Sequence, residues 1–189
     1  MESLTAISKE IEKCTLCDLC LKRNKTVPGE GNESTGIVII GEAPGKNEDL
    51  QGKPFIGMSG RFLSKSLESI GVDRSAVFIT NAVKCRPPNN RKPTNEEIAT
   101  CRPYLVRQLS VIQPKLILAL GTSAASSLGI KFKHLSEIKS RFIDITLGNR
   151  QFTCLVTFHP SFPMRFPSAR KSFLADISMA FNSYKNLPT

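Results

Sequence analysis

Four of the six cysteines in this sequence have a spacing that could bind a metal centre. Cys14 and Cys17 form a C-x2-C pair, and Cys85 and Cys101 lie far downstream with fifteen residues between them. A close pair combined with two distant cysteines suits tetrahedral thiolate ligation, which serves both zinc and four-iron clusters. Cys20 extends the pair to C-x2-C-x2-C and could replace Cys17 as a ligand. Buried free thiols are the simpler alternative, and spacing alone does not choose among these possibilities.

Polar and turn-forming residues follow four short apolar runs, where the chain would leave a buried strand. Gly41 opens the segment GEAPG, Asn81 and Gly121 follow the next two runs, and His159 begins HPS after the last. Each of these residues could simply end its strand. Because ligands of open α/β sheets bind beyond the carboxyl ends of the strands, the four ends together favour one binding site.

The segment GEAPGKNED resembles a phosphate-binding loop only superficially. A P-loop needs GxxxxGK followed by Ser or Thr. Here the two glycines are one residue too close together, and Asn47 follows the lysine. The acidic residues Glu42, Glu48 and Asp49 would also repel phosphate groups. The sequence therefore argues against nucleotide binding at this segment.

The elements that must position these residues are short strands alternating with helices. Four apolar runs are bounded by turn residues, as buried parallel strands are. These runs lie at 37–40, 77–80, 115–120 and 152–158. Helical patterns cover 60–72, a stretch that begins with a capping-box sequence at Thr94, and about 168–184. The alternation predicts a three-layer α/β/α sandwich around a short, mostly parallel four-stranded sheet, in a single domain spanning 1–189.

The overall charge favours a polyanionic partner over a membrane. The 189 residues include 26 Lys+Arg and 16 Asp+Glu, a net charge of +10, and the basic residues cluster in KCRPPNNRKP and RFPSARK. Positive charge favours binding to nucleic acid through counterion release, although it also suits an ordinary solvated surface. No apolar run is long enough to span a bilayer, and the amino-terminal segment has no apolar signal core. We therefore expect a cytoplasmic protein without a membrane partner.

Five successive motifs give the sequence a family resemblance. They are GEAPGKNED, GKPFIGMSG, TNAVKCRPPNNRKPT, CRPYL and HPS with Arg165 shortly after. In this order they resemble the motifs of the family-4 uracil-DNA glycosylases, the iron–sulfur members of the uracil-DNA glycosylase superfamily. The resemblance implies an enzyme of base-excision repair that flips uracil out of DNA and hydrolyses its N-glycosidic bond, leaving an abasic site. It also implies a 4Fe-4S cluster on Cys14, Cys17, Cys85 and Cys101.

Within that resemblance, the residues near the strand ends receive roles in uracil recognition. Phe55 of KPFIG is similar to the family's stacking aromatic, and Gly41, Glu42 and Ala43 correspond to the segment that lies against uracil. Stacking contributes about 1–3 kcal/mol per base, which offsets part of the cost of flipping. The Asn81 amide carries a donor and an acceptor, which matches the N3–H and O4 edge of uracil and opposes cytosine. The simpler alternatives are a core phenylalanine and an asparagine that caps a strand.

His159 and Glu42 are the candidate catalytic residues. Cleavage leaves negative charge on uracil O2, and a hydrogen bond donated by His159 would strengthen as that charge develops. Glu42 could orient the attacking water, stabilise positive charge on the sugar, or bond within its own loop. Ala43 occupies the position where the best-known superfamily members carry a water-activating Asp, so the general base stays open, with Asn89 and Glu48 as weaker candidates.

The basic motifs supply the predicted DNA contacts. Arg86, Arg91, Lys92 and Arg165 are expected to bind phosphates of uracil-containing DNA. The stretch NNRKPT lacks the histidine with which one relative in the superfamily traps DNA covalently, so water is the expected nucleophile. We expect a monomer, with other repair or replication proteins as candidate partners. The alternative is a non-catalytic, metal-bearing nucleic-acid-binding module, which explains the cysteines and the charge but not the polar strand ends.

Overall fold

The computed structural model describes residues 2–185, in which helices alternate with strands along most of the chain. The helices are α1 (Leu4–Lys13), α2 (Lys46–Gln51), α3 (Met58–Glu68), α4 (Asn95–Ile112), α5 (Thr122–Ser127), α6 (Leu135–Ile138), α7 (Ser161–Arg165) and α8 (Arg170–Lys185). The strands are β1 (Glu30–Gly31), β2 (Ile37–Gly41), β3 (Phe78–Asn81), β4 (Leu116–Leu120), β5 (Phe142–Leu147) and β6 (Arg150–Thr157). Short 3-10 helices occur at Asp18–Leu21, Arg74–Ala76, Pro88–Asn90 and Pro167–Ala169. The extreme ends of the predicted domain, residues 1 and 186–189, lie outside the described part of the chain.

The sheet has six strands, so the predicted count of four was wrong. Its order is β1-β3-β2-β4-β6-β5. The four predicted strands form the parallel centre, and antiparallel β1 and β5 lie at the two edges. β1 has only two residues, and β5 alternates exposed positions with partly or fully buried ones. Neither edge strand therefore forms the continuous apolar run that marks a strand buried on both faces.

The two faces of the parallel strands build two separate cores, which confirms the three-layer α/β/α sandwich. Val38 and Ile117 pack on one face with apolar residues of α1, α4 and α5. Ile39 and Leu118 pack on the other face with apolar residues of α3 and α8. Because successive strand residues point to opposite faces, a strand covered on both sides needs apolar residues on both of its faces. Within residues 2–185, no helix is both long and apolar enough to cross a membrane.

The start of α4 confirms the predicted capping box. Thr94 Oγ1 accepts a hydrogen bond from the Glu97 backbone N–H at 3.1 Å, and the Thr94 backbone N–H donates to Glu97 Oε2 at 2.7 Å. The two bonds satisfy N–H groups that have no partner inside the helix. They fix where the preceding loop ends and where the helix that carries Cys101 begins.

The parallel strands bring the predicted site residues to one edge of the sheet. Gly41 and Asn81 are register partners at the carboxyl ends of β2 and β3. The Gly121 backbone N–H donates to Thr157 O at 2.9 Å, which holds the end of β4 beside the end of β6. His159 follows β6 two residues later. The strand ends that the sequence predicts to converge therefore do so.

Candidate active site and cysteine cavity

Gly41 lies against Phe55 and Asn81 at the strand ends, and Phe55 lies next to His159. We call the group formed by Gly41, Phe55, Asn81 and His159 the strand-end pocket. A Cβ atom at position 41 would lie 2.5 Å from both Phe55 Cε2 and Asn81 Oδ1, so only glycine leaves room for these two side chains. Asn81 is 2% exposed, and its side-chain amide has no hydrogen-bonding partner within residues 2–185. Its donor and its acceptor are therefore both available to a bound molecule.

Phe55 is held at the pocket in an unusual backbone conformation. Its φ of 52° lies in the left-handed region, which a bulky residue adopts only when its surroundings enforce it. Arg74 Nη1 donates to the Phe55 carbonyl at 2.8 Å, and the absence of a side chain at Gly60 leaves space for that carbonyl. The ring is buried, and its centroid lies 6.0 Å from that of His159. The backbone thus fixes an aromatic ring next to Gly41.

The hydrogen bonds of His159 determine which ring nitrogen carries the proton. Its Nδ1 lies 2.8 Å from Ser161 Oγ and accepts a hydrogen bond from the Ser161 backbone N–H at 3.3 Å. Burial lowers the pKa of His159 below its ordinary value, although the Glu42 carboxylate opposes the shift. A neutral imidazole whose Nδ1 accepts must carry its proton on Nε2. His159 therefore presents an Nε2–H donor, the group that its predicted role requires.

The carboxylate of Glu42 is held from outside its own loop. Ser123, a fully buried residue near the start of α5, donates from Oγ to Glu42 Oε2 at 2.6 Å. Glu42 Oε1 has no hydrogen-bonding partner within residues 2–185. Bonding within the loop, one of three possibilities left open by the sequence, is not the arrangement found. Sequence reasoning missed Ser123, because nothing in GTSAASS distinguishes this serine from its neighbours.

The two weaker candidates for positioning water lie in different surroundings. Glu48 is buried, and its Oε1 accepts hydrogen bonds from the backbone N–H groups of Ile56 at 3.0 Å and Gly57 at 2.6 Å. That carboxylate therefore braces the segment that follows Phe55. Asn89 is exposed in the turn Pro88–Asn90 with a φ of 55°.

Five cysteines line a single cavity with about 360 Å³ of empty space, including its open side. They are Cys14, Cys17, Cys20, Cys85 and Cys101. Arg23 Nη1 donates to Cys85 Sγ at 3.2 Å, and Ala43, next to Glu42, packs against the same group. Soft thiol donors with an N–H group directed at one sulfur are the donor set of thiolate-bound metal centres. Within residues 2–185, no three Cys, His, Asp or Glu side chains are placed to hold a single metal ion.

Burial lowers the acidity of three of the thiols in this cavity. It raises the pKa of Cys85 to about 11, even though Arg23 opposes the shift. Burial also raises the pKa values of Cys17 and Cys101. The thiols of Cys17, Cys85 and Cys101 therefore stay protonated at neutral pH, and a bound metal would have to displace their protons.

Comparison with known proteins places the chain in a family. Residues 28–180 match the family model described as the uracil DNA glycosylase superfamily. The chain belongs to this superfamily. The type-4 uracil-DNA glycosylase of Archaeoglobus fulgidus is 42% identical over 180 residues, which cover 93% of this chain and 90% of the relative. That of Thermotoga maritima is 43% identical over 182 residues, which cover 95% and 93% of the two chains. These matches confirm the resemblance carried by the ordered motifs.

In this member of the uracil-DNA glycosylase superfamily, the predicted DNA contacts lie mainly in the basic loop, which we define as residues 84–93. Arg86 is half-buried, and its Nε donates to Asn90 Oδ1 at 2.7 Å. Lys92 is exposed, and its Nζ donates to Thr122 Oγ1 at 2.9 Å, at the first residue of α5. The ammonium group of Lys92 carries three N–H donors, so contact with a phosphate remains open to it.

The other two predicted DNA contacts, Arg91 and Arg165, differ in whether they already bind a polar partner within residues 2–185. Arg91 makes a two-point ion pair with Glu97, whereas Arg165 is exposed at the end of α7 and has no polar partner within residues 2–185. All four residues stay predicted phosphate contacts. The ion pair gives Arg91 a second role, in ordering the loop.

Proposed function

We propose that this chain is a type-4 uracil-DNA glycosylase that flips uracil out of DNA and hydrolyses its N-glycosidic bond, leaving an abasic site. The observation that carries the proposal is the strand-end pocket, where an aromatic ring, a free amide and a histidine N–H donor surround the space next to Gly41. Membership of the superfamily and type-4 relatives about 40% identical over nearly the whole chain support it.

Recognition of uracil falls to Asn81 and Phe55. Uracil N3–H would donate to Asn81 Oδ1, and Asn81 Nδ2 would donate to uracil O4. Cytosine presents an acceptor at N3 and a donor at N4, so the same amide orientation would leave buried polar groups unpaired. The face of Phe55 would stack on the flipped base, and its rigid backbone lowers the entropy lost on binding.

Cleavage of the glycosidic bond falls to His159 and Glu42. As the C1′–N1 bond breaks, uracil leaves with the bonding electron pair, and His159 Nε2–H donates to the O2 atom that gains charge. The oxygen of a water molecule forms the new bond to C1′, and its proton passes to solvent. Glu42 Oε1, the carboxylate oxygen without a partner in the described chain, contacts either that water or the positively charged sugar.

For the cofactor we propose a 4Fe-4S cluster on Cys14, Cys17, Cys85 and Cys101, which fit it as thiol donors around one cavity. When bound, the cluster would supply a cross-link between the end of α1, the basic loop and α4. Cys20 lines the same cavity and is the rival ligand for Cys17. We expect a brown protein with about four irons per chain after anaerobic purification. Cys85→Ser should lose iron, whereas Cys20→Ser should retain it, and stoichiometric zinc without iron would contradict the assignment.

We also propose a single-domain monomer that acts in the cytoplasm. One sheet runs through the described chain, and the family model spans 28–180. The six cysteines are unpaired, which suits a reducing compartment. Light scattering coupled to size exclusion would measure the mass, and a dimer would contradict the proposal.

The decisive test of the function is uracil excision. The purified protein is incubated with a uracil-containing oligonucleotide, and alkali then cleaves the abasic product. A matched oligonucleotide with cytosine at the same position is the control. Binding to both oligonucleotides without release of free uracil would instead support the non-catalytic nucleic-acid-binding module.

A further inference from the structure

The hydroxyl of Ser123 belongs to no motif, yet it contacts a candidate catalytic carboxylate. Ser123 is fully buried, and its Oγ lies 2.6 Å from Glu42 Oε2. We infer that Ser123 is a positioning residue, which holds Glu42 in one orientation and leaves Oε1 as the oxygen that faces the reaction. This inference rests on the proposed excision of uracil.

The chemistry of the two groups defines the direction of the bond. An ionised carboxylate only accepts hydrogen bonds, so the hydroxyl of Ser123 must donate. Hydrogen bonds to a charged acceptor are shorter and stronger than those between neutral groups, in agreement with the short distance found. A glutamate without such a partner could rotate about its terminal torsion, which has broad preferences.

The position of Ser123 follows from the order of the sheet. β4 lies directly beside β2, so the turn that leaves β4 faces the loop that leaves β2. Gly121 makes this turn at a φ of 89°, and a Cβ atom there would lie 3.1 Å from His159 Cβ. The same turn therefore lies against His159 on one side and presents Ser123 to Glu42 on the other.

A second buried serine on the same helix separates positioning from ordinary packing. Ser127 is also fully buried on α5, and its Oγ donates to the Ala124 carbonyl at 2.7 Å. Ser123→Ala and Ser127→Ala thus remove the same atom from equally buried sites, one bonded to Glu42 and one to the backbone. A purely structural role predicts similar effects for both variants.

The experiment is single-turnover excision at saturating enzyme, paired with equilibrium binding to uracil-containing DNA. Since hydrogen bonds to charged groups are among the stronger ones, Ser123→Ala should slow excision about 10- to 100-fold with DNA affinity unchanged. Ser127→Ala should keep the wild-type rate, and Ser123→Thr should restore most of the loss.

A double-mutant cycle with Glu42→Gln completes the test. Once the carboxylate is gone, Ser123→Ala should cause no further loss of rate. Wild-type excision by Ser123→Ala, or an equal loss in Ser127→Ala, would overturn the inference while leaving the proposed function intact. Failure of the wild-type protein to release uracil would instead overturn the proposed function, and the inference with it.

Discussion

Arg91 and Glu97 form a two-point ion pair, with Nη1 2.8 Å from Oε2 and Nη2 2.6 Å from Oε1. Glu97 Oε2 also accepts the hydrogen bond from Thr94 N–H that caps α4. The guanidinium therefore ties the basic loop to the first turn of the helix that carries Cys101. Bidentate pairs of this kind impose geometry as well as adding energy.

The ion pair predicts unequal effects for two neighbouring basic residues. If Lys92 binds a phosphate, Lys92→Ala should reduce the log–log salt slope of duplex binding by about 0.9. Compared with Lys92→Ala, Arg91→Ala should change the salt slope less. It should lower the melting temperature more, because it releases the basic loop from Glu97. Equilibrium binding between about 50 and 200 mM salt measures the slope. An unchanged slope and affinity in the double variant would show that this loop does not contact the backbone.

Removal of the His159 side chain should slow chemistry more than it weakens binding. His159→Ala should lower the single-turnover rate about 100- to 1000-fold, since it removes a donor to the charge on uracil O2. His134→Ala is the matched control, because His134 is exposed and is the other of the two histidines. A wild-type rate for His159→Ala, in protein that is folded and retains its metal, would rule out this role.

The protonation of His159 makes a prediction about pH. Burial lowers the pKa of His159 below 6.5 despite the opposing Glu42 carboxylate, so the imidazole should be neutral at pH 7. The unfolded chain binds this proton first as the pH falls. The contribution of His159 to the free energy of unfolding is therefore complete above pH 6.5 and declines towards its folded pKa. Nitrogen-15 spectra of the imidazole at several pH values measure this pKa, and a cationic ring at pH 7 would contradict the prediction.

Filling the space at Gly41 should close the pocket. Gly41→Ala should abolish excision and inhibition by free uracil, because the added Cβ would overlap Phe55 and Asn81. Gly71→Ala is the control, since no atom would lie within 4 Å of its added Cβ. Circular dichroism would confirm that both variants fold. Uracil binding by folded Gly41→Ala would place the base elsewhere.

Reversal of the polarity at Asn81 should alter the choice of base. Asn81→Asp places an acceptor against uracil O4, so uracil excision should fall, while cytosine, which presents a donor there, should be rejected less strongly. The ratio of excision rates on matched uracil and cytosine oligonucleotides measures the effect. An unchanged ratio would mean that Asn81 does not read the base edge.

The sequence by itself determined the central sheet, the cap of α4 and the family. Each of the four parallel strands contains a short, mainly apolar run, and the cap at Thr94 is encoded within four residues. The residues at the strand ends could be chosen as site candidates from the sequence, because the carboxyl ends of parallel strands lie at one edge of the sheet. The apolar runs and the capping box are local patterns, so they can be recognised in the sequence without knowledge of the fold.

Only the tertiary structure decided which distant side chains meet. Ser123 and Glu42 are 81 positions apart, and they touch because β4 lies beside β2 rather than at an edge of the sheet. Arg23 likewise contacts Cys85 across 62 positions of the sequence. The edge strands β1 and β5 also depend on pairing with a neighbour, because their own residues are too few or too exposed to mark them. Such contacts follow from strand order and side-chain direction, which no short stretch of sequence encodes.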